Sequence, residues 1–255
     1  VTLLPSVTCG TCVFYVRGDF DACDTRTGIG VTRAGAFARY TSAPDRNCVK
    51  VPASVSDELA ALSEPLSVGA QAVLATAQVK PGQRVLVLGP GTIGQALAIW
   101  SRRAGADVTV AGRDDAHRFQ VMQALGFSDL HEVGSHTLTE VFAGKTFDVV
   151  FEATGSPQVV NQALPLLAKG GIFVCVGIHA APAQIDLITL VRRSLQIRGT
   201  YRATRALWDE VIKLLVEEGE RVKPMITHRV PLSHALEGFE LAHKRVASKV
   251  MVIPG

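Results

Sequence analysis

The sequence predicts an α/β fold in which a doubly wound parallel sheet is inserted between two pieces of a second domain. Two observations predict it. In the middle of the chain, short β-rich runs alternate with helical patterns, an order typical of βαβ units. A glycine-rich turn at residues 89–94 joins one predicted strand directly to a helix, as happens in open parallel sheets.

The central segment predicts six strands with helical crossovers, which is the number that a doubly wound sheet requires. Each run is bounded by turn residues or changes from a strand-like to a helical period. We expect strands at residues 84–88, 108–112, 130–133, 147–152, 171–177 and 195–201, and helices at 92–104, 115–125, 158–167 and 187–193.

The two flanks have a different pattern. Residues 1–63 are rich in Gly, Pro, Thr and Val with little helical period, which predicts irregular β structure. The other flank predicts an amphipathic helix at 207–218, a short helix near 234–244 and a final strand at 249–253. We therefore expect a flanking domain made of residues 1–65 and 202–255 around a central domain of residues 66–201.

The turn Gly89-Pro90-Gly91-Thr92-Ile93-Gly94 matches G-x-G-x-x-G between a strand and a helix, the context that makes this pattern specific. The first glycine allows the tight turn, the second lets the backbone approach a pyrophosphate, and the third lets the helix pack close to the strand. The helix N-terminus then faces the phosphate charge. The pattern predicts a Rossmann domain that binds a nicotinamide dinucleotide.

Other cofactor contacts are expected at the carboxyl ends of the later strands, where ligands of open α/β sheets bind. Taken singly, each of these positions is equally compatible with a plain turn. These later contacts are Ala153, Thr154, Gly177, Ile178, Thr200 and Tyr201, and they add to Gly89, Gly91, Thr92, Ile93 and Gly94 of the glycine turn.

Composition limits the function classes. The chain has 255 residues, 47% hydrophobic and 19% charged, with a formal net charge of +3, which is too small to indicate nucleic-acid binding. The apolar runs are too short to span a membrane, and no signal-peptide pattern opens the chain, so we expect a cytoplasmic protein. No methionine opens the chain, and Val1–Leu4 already has a strand-like pattern, so we expect either that residues are missing upstream or that the chain was cut at this point.

Three of the five cysteines, Cys9, Cys12 and Cys23, fall within fifteen residues. In a chain expected to be cytosolic, such a cluster favours metal over disulfides. Cys175 lies in the apolar run of residues 172–176 and is expected to be a buried strand thiol.

The order of these motifs resembles the zinc-containing medium-chain alcohol dehydrogenases, especially their polyol (sorbitol) and threonine dehydrogenase branch. The resemblance covers essentially the whole chain and implies that the flanks form a co-chaperonin-like β-barrel substrate domain. The segments that carry it are Cys9-Gly10-Thr11-Cys12, Gly35-Ala36-Phe37-Ala38, residues 63–69, Val79-Lys80-Pro81-Gly82, the glycine turn, Glu152-Ala153-Thr154-Gly155, Gly170-Gly171 and Lys249-Val250-Met251.

The resemblance also implies two zinc sites, and the sequence departs from both. The structural site uses four cysteines in the spacing C-x2-C-x2-C-x7-C, whereas here Tyr15 stands in the third place. Three thiolates and a phenol are a poor zinc site, which favours a lobe held by packing. At the catalytic site only Glu64 matches, as the glutamate that binds the zinc or its water, and no histidine precedes His117. Zinc is therefore expected for the complete protein but is not favoured in this chain, which is expected to bind dinucleotide without oxidising alcohols.

The end of the second central strand predicts the choice of dinucleotide. In NAD-specific relatives an acidic residue there bonds the ribose 2′-hydroxyl, but here Arg113 occupies the place. A guanidinium suits a 2′-phosphate, and Arg118 or His117 adds charge. We therefore expect NADP over NAD. The alternative is that Arg113 points to solvent and Asp114 reaches the ribose.

These observations predict an oxidoreductase that moves a hydride between a nicotinamide cofactor and a small alcohol or polyol substrate, assisted by zinc in the complete protein. The alternatives are a zinc-free quinone or enoyl reductase of the same superfold and a non-catalytic dinucleotide-binding protein. The fifth and sixth strands would leave an apolar sheet edge, and the resemblance implies edge-to-edge pairing of two such domains. We therefore expect a homodimer or homotetramer.

Overall fold

The computed structural model describes residues 1–255 apart from the side chain of Asp21. The chain divides into two compact units, Val1–Ser67 with Arg202–Gly255, and Val68–Tyr201. Within the described residues, no helix combines the length and the apolar character that a membrane span requires.

The amino-terminal part of the first unit consists of short strands and short helices. Asn47 is 3% exposed, and its side-chain amide donates to the carbonyl oxygens of Leu4 and Ser6 at 2.8 and 2.9 Å. This buried amide holds the segment that contains Asn47 against residues 4–6, in a region where the strands are too short to form many backbone hydrogen bonds. The elements are β1 (Thr2–Leu3), β2 (Ser6–Val7), α1 (Val13–Val16), β3 (Thr27–Gly28), β4 (Cys48–Val49) and α2 (Asp57–Ala60), followed by α3 (Ser63–Ala70), which begins in this unit and ends in the second.

The second unit contains a six-stranded parallel sheet. A π-helical stretch at Gln71–Ala77 precedes it and ends at Gln78, whose φ is 56°. The elements are β5 (Arg84–Leu88), α4 (Thr92–Arg103), β6 (Asp107–Gly112), α5 (Ala116–Ala124), β7 (Leu130–Glu132), α6 (Leu138–Val141), β8 (Phe147–Glu152), α7 (Pro157–Ala163), β9 (Leu167–Cys175), α8 (Leu187–Arg192) and β10 (Gln196–Gly199).

The strand order is β10-β9-β8-β5-β6-β7, so the order reverses between β5 and β8. The predicted doubly wound parallel sheet is confirmed. Leu86, Val150 and Phe173 from the three central strands are fully buried in one apolar cluster with residues of α7. Ligands of such sheets bind outside the carboxyl ends of the strands at the reversal.

The carboxyl-terminal part of the first unit begins with a long helix. It buries Trp208, and its Gly219 lies so close to Leu59 that a Cβ would come within 2.9 Å of the leucine side chain. The following strands pair in parallel. The elements are α9 (Arg205–Val222), β11 (Ile226–Pro231), α10 (Ala235–His243) and β12 (Lys249–Ile253).

Several predicted boundaries were wrong. The helix expected at 158–167 ends at Ala163, and a 3-10 turn over Leu164–Leu166 follows, because Pro165 has no N–H to continue the helix. The next strand therefore starts at Leu167 rather than 171 and ends at Cys175 rather than 177. The last strand of the sheet, expected over 195–201, spans only Gln196–Gly199.

The irregular β structure predicted for residues 1–63 is interrupted by short helices. The helices α1 and α2 are single turns, too short to show a period in the sequence. Ser56 caps α2 by accepting from the backbone N–H of Leu59.

Candidate cofactor site and cysteine cluster

The glycine turn lies between β5 and α4. Gly89 has a φ of +100°, and a Cβ on Gly94 would overlap the carbonyl oxygen of Gly89, so both positions require glycine. Near Gly91 the first atom that a Cβ would meet is Arg118 Nη1, 3.8 Å away. No side chain caps α4, so its first turn offers the kind of backbone site that binds phosphate.

The loops after β5, β8 and β9 meet at the carboxyl edge of the sheet. A Cβ on Gly89 would lie 3.1 Å from Cγ2 of Thr154, and one on Gly155 would lie 2.8 Å from the carbonyl oxygen of Ile178. A Cβ on Gly177 would come within 2.5 Å of the Gly155 nitrogen. The structure therefore brings together three of the loops that the sequence predicts to hold the cofactor.

One buried residue holds two of these loops, the loop after β8 through its carboxylate and the loop after β9 through its main-chain oxygen. Glu152, the last residue of β8, is fully buried. Its Oε1 accepts from the backbone N–H groups of Thr154 and Gly155 at 2.6 and 2.8 Å and from the Thr154 hydroxyl at 2.5 Å. Its main-chain oxygen accepts from the N–H groups of Val176 and Gly177, both at 2.9 Å. In the sequence, Glu152 is recognisable only as part of a motif, and no pattern predicts this role.

The end of β6 faces the glycine turn. A Cβ on Gly112 would lie 2.7 Å from Cδ of Pro90, so only glycine fits there. Arg113 follows directly and is exposed. Asp115 is mostly buried and pairs with Arg118, Nη1 to Oδ1 at 3.2 Å. Arg113 and Arg118 therefore lie on the same loop and helix start.

The loop that carries Arg113 is held from β7. Glu132, the last residue of that strand, accepts from the backbone N–H of Asp114 at 2.9 Å and from that of Gly134 at 3.2 Å. Asp114 has a φ of +55°, in the left-handed region that non-glycine residues seldom adopt. The Asp114 side chain is exposed. No pattern in the sequence indicated that Glu132 would fix this loop.

The other expected contacts lie at the ends of β9 and β10. Ile178 is 88% exposed and Tyr201 is 70% exposed. The Thr200 hydroxyl accepts from Oγ1 of Thr76 at 3.0 Å, and its backbone N–H donates to the oxygen of Cys175 at 3.2 Å. Burial raises the pKa of the Cys175 thiol, and the charge of Glu152 adds to the shift.

The predicted cysteine cluster forms in the first unit. The sulfur atoms of Cys9, Cys12 and Cys23 all lie within 4.8 Å of one another. Each accepts a backbone N–H: Cys12 donates to Cys9 at 3.3 Å, Tyr15 to Cys12 at 3.3 Å and Cys9 to Cys23 at 3.5 Å. Hydrogen bonds from Thr25, Thr11 and Cys12 lower the pKa of Cys9 to about 5.

This cluster fits three of the four ligands that a structural zinc takes. The ring of Tyr15 packs on Phe20 with centroids 5.2 Å apart, and the Arg46 guanidinium lies 5.7 Å from its centroid. The phenol is thus part of an aromatic and cationic stack. Among the described side chains, no other His, Cys, Asp or Glu groups with the three thiols.

Glu64 lies in the first turn of α3. Desolvation raises the pKa of its carboxyl, and the positive charge of Lys249 opposes the shift. In the described part of the chain, Glu64 does not belong to any group of three His, Cys, Asp or Glu ligands. By itself it does not make a catalytic zinc site.

Comparison with known proteins agrees with this geometry. Residues 92–217 match the family model described as zinc-binding dehydrogenase. A sorbitol dehydrogenase from Halalkalibacterium halodurans is 30% identical over 96% of this chain and 73% of its own length. An L-threonine 3-dehydrogenase from Bacillus velezensis is 31% identical over 96% and 72%.

The chain belongs to the zinc-binding dehydrogenase family. The predicted resemblance is therefore confirmed, and this zinc-binding dehydrogenase is an oxidoreductase of the alcohol and polyol dehydrogenase class.

Solved structures support the same assignment. L-idonate 5-dehydrogenase from Escherichia coli superposes with a TM-score of 0.86 and 26% identity, over 98% of this chain and 74% of that one. A zinc-binding dehydrogenase from Sinorhizobium meliloti bound to NADP superposes with a TM-score of 0.84 and 25% identity. The match covers 92% of this chain and 71% of that one. The glycine turn, the uncapped start of α4 and the close loops of this dehydrogenase fit a dinucleotide.

Proposed function

We propose that this dehydrogenase transfers a hydride between NADP and a secondary alcohol or polyol, or the corresponding ketone. The observation that carries the proposal is the glycine turn, where Gly94 has no room for a side chain and Gly91 leaves space before the first turn of α4. The names of the relatives, which include sorbitol and arabitol-phosphate dehydrogenases, support the substrate class.

In this proposal the second unit binds and orients the cofactor. The first turn of α4 receives the pyrophosphate, the end of β6 receives the adenosine ribose, and the ends of β8 and β9 lie under the nicotinamide half. Holding the carbinol carbon at contact distance from the nicotinamide is the main contribution to rate that such a frame supplies.

The preference for NADP rests on Arg113. It is exposed directly after β6 and, among the described residues, no hydrogen bond or ion pair engages its guanidinium. A guanidinium binds phosphate bidentately and cannot accept a hydrogen bond from a ribose hydroxyl. Arg118, paired with Asp115 beside Gly91, adds positive charge near the same place.

We also propose that the three thiols bind zinc, but more weakly than four would, because tetrahedral zinc prefers a closed set of four protein ligands in structural sites. Hydrogen bonds lower the pKa of Cys9 and favour in it the thiolate form that a metal needs, whereas burial and the neighbouring thiols raise the pKa of Cys12.

A homo-oligomer is the proposed state in solution. The strand β10 is the edge of the sheet, and the nearby helix α8 exposes Leu187, Ile188 and Val191 at 63%, 66% and 72%. An exposed edge strand next to an apolar surface favours pairing with another chain.

The experiment that tests the activity is a turnover assay with NADP or NAD over a panel of polyols, secondary alcohols and 2-amino-3-hydroxy acids, in the presence of zinc. We expect the complete protein to oxidise at least one secondary alcohol, faster with NADP. These 255 residues alone are expected to bind dinucleotide without oxidising alcohols, because Glu64 by itself does not hold a catalytic zinc. Reduction of quinones or enoyl substrates without alcohol turnover would instead support the zinc-free reductase alternative.

A further inference from the structure

The two carboxylate oxygens of Glu152 differ in their hydrogen bonds. Its Oε1 accepts three hydrogen bonds, from the N–H and hydroxyl of Thr154 and the N–H of Gly155. Among the described residues, its Oε2 is buried without a hydrogen-bond partner. The imidazole of His179 lies beside it, with Nε2 3.3 Å from Oε2, and this Nε2 is likewise buried without a hydrogen bond in the described part of the chain.

These two atoms face each other across a gap that a small ring rotation would close. A buried carboxylate oxygen without a donor is costly, so a hydrogen bond from Nε2–H to Oε2 is the favoured arrangement. That bond fixes the histidine tautomer, because a neutral imidazole that donates through one nitrogen accepts through the other. Nδ1 is then an acceptor.

The location of His179 indicates what Nδ1 would meet. The residue follows β9 and Ile178, at the carboxyl edge of the sheet, and its side chain is 18% exposed. In the order β10-β9-β8-β5-β6-β7, the pyrophosphate lies over β5 and the adenosine over β6. The nicotinamide half therefore extends over β8 and β9, where the exposed Ile178 offers an apolar surface.

We propose that His179 binds the nicotinamide half of the dinucleotide through Nδ1, and that Glu152 is the positioning residue that fixes its tautomer. The partner of Nδ1 is a hydrogen-bond donor, either the carboxamide N–H2 or a hydroxyl of the adjacent ribose. This inference rests on the proposed dinucleotide binding and adds to it a residue that binds the nicotinamide half of the cofactor.

Two substitutions separate the parts of the proposal. In His179→Gln the amide nitrogen takes the place of Nε2 and still reaches Glu152, but the Nδ1 acceptor is lost. In Glu152→Gln the amide oxygen keeps the contacts with Thr154 and Gly155, while the amide nitrogen becomes a donor toward His179 and forces the other tautomer. His234→Gln, at an exposed histidine near Glu237 in the first unit, is the matched control.

Binding is measured by calorimetry with three ligands: NADP, 2′-monophosphoadenosine 5′-diphosphoribose, which lacks nicotinamide, and 2′,5′-ADP, which also lacks the second ribose. We expect both single variants to bind NADP about fivefold to tenfold more weakly and the double variant to be no weaker than either. Affinity for 2′,5′-ADP stays unchanged, as does every affinity of His234→Gln.

The second ligand identifies the donor. If its affinity is unchanged in the variants, the carboxamide is the partner; if its affinity falls with that of NADP, a ribose hydroxyl is. Unchanged NADP affinity in His179→Gln would overturn the inference, and so would an equal loss for all three ligands, which indicates a purely structural role. Failure of the unaltered protein to bind any of the three would contradict the proposed function itself.

Discussion

Gly94 packs so closely on the carbonyl oxygen of Gly89 that a Cβ would overlap it. This contact sets the start of α4 directly on the end of β5. It explains why a short turn, and not a longer loop, presents the helix N-terminus at the carboxyl edge of the sheet. The fold itself requires glycine at positions 89 and 94, whereas Gly91 has space around it and is the glycine that we propose a ligand requires.

We predict that Gly94→Ala lowers the free energy of unfolding by about 1–3 kcal/mol, because overpacking forces backbone shifts. Gly91→Ala should keep the melting temperature and weaken dinucleotide binding, since its Cβ enters open space beside Arg118. Thermal unfolding and a fluorescence titration with NADPH measure the two effects. Gly199→Ala, where a Cβ meets nothing within 4 Å, is the control; equal effects of all three would contradict the assignment.

The choice of cofactor is tested at Arg113. We predict that Arg113→Asp weakens NADP binding by about 1.5–3 kcal/mol, the scale of a lost charge-assisted hydrogen bond, and improves NAD binding. Separate titrations with NADP and NAD give the two dissociation constants. If Asp114 instead accepts a hydrogen bond from the ribose hydroxyl, Asp114→Asn weakens NAD binding while Arg113→Asp leaves NADP binding unchanged.

The cysteine cluster predicts that a fourth thiol in place of Tyr15 strengthens zinc binding. Tyr15→Cys should tighten zinc binding at least about tenfold, because a fourth thiolate closes the tetrahedral site. Competition with a chelating dye measures the affinity. The matched control is Tyr40→Cys, which adds a thiol at a position 83% exposed without joining the cluster. Zinc affinity that rises equally in both variants would show that Tyr15 does not mark the missing ligand.

An ion pair in the first unit predicts a pH-dependent stability. Arg229 holds Glu58 bidentately, Nε to Oε1 at 2.6 Å and Nη2 to Oε2 at 2.8 Å, and the hydrogen bond from Arg229 lowers the pKa of Glu58. A lowered pKa in the folded state means stability that is present above the ordinary value of 4.5 and is lost as pH falls below it.

We therefore expect Glu58→Gln to lower the melting temperature at pH 7, and the difference from the unaltered protein to shrink as the pH is brought below 4.5. Glu210→Gln, which removes an exposed partner of Lys213 on one helix, should have a smaller effect at either pH. A constant difference across this range would show that the ion pair is not its cause.

The association of chains is tested on α8. Light scattering at micromolar concentration should give a dimer or tetramer, and Ile188→Asp should shift the mass toward a monomer because it places a charge in the apolar surface beside β10. Leu236→Asp, at a position 81% exposed on α10, is the control. A monomeric mass for the unaltered chain would disprove the proposal.

The sequence predicted what depends on short-range patterns. The strand β8 was predicted with its exact ends, and α4 to within one residue, because an apolar run next to glycine is a strong local signal. The loop geometry could not be predicted. The contact of Glu132 with Asp114 joins residues 18 apart in the sequence, and the contact of Glu152 with His179 joins the ends of two strands. Neither contact produces a periodic pattern in the sequence from which it could be predicted.

The proposed function requires the second unit to bind a nicotinamide dinucleotide at the glycine turn, with NADP preferred. Calorimetric titration of the unaltered chain and of Gly91→Ala with NADP and NAD measures this binding. We predict one dinucleotide bound per chain, a lower dissociation constant for NADP than for NAD, and weaker binding of both by the variant. Tighter binding of NAD would contradict the preference, and no saturable binding of either dinucleotide would contradict the proposed function as a whole.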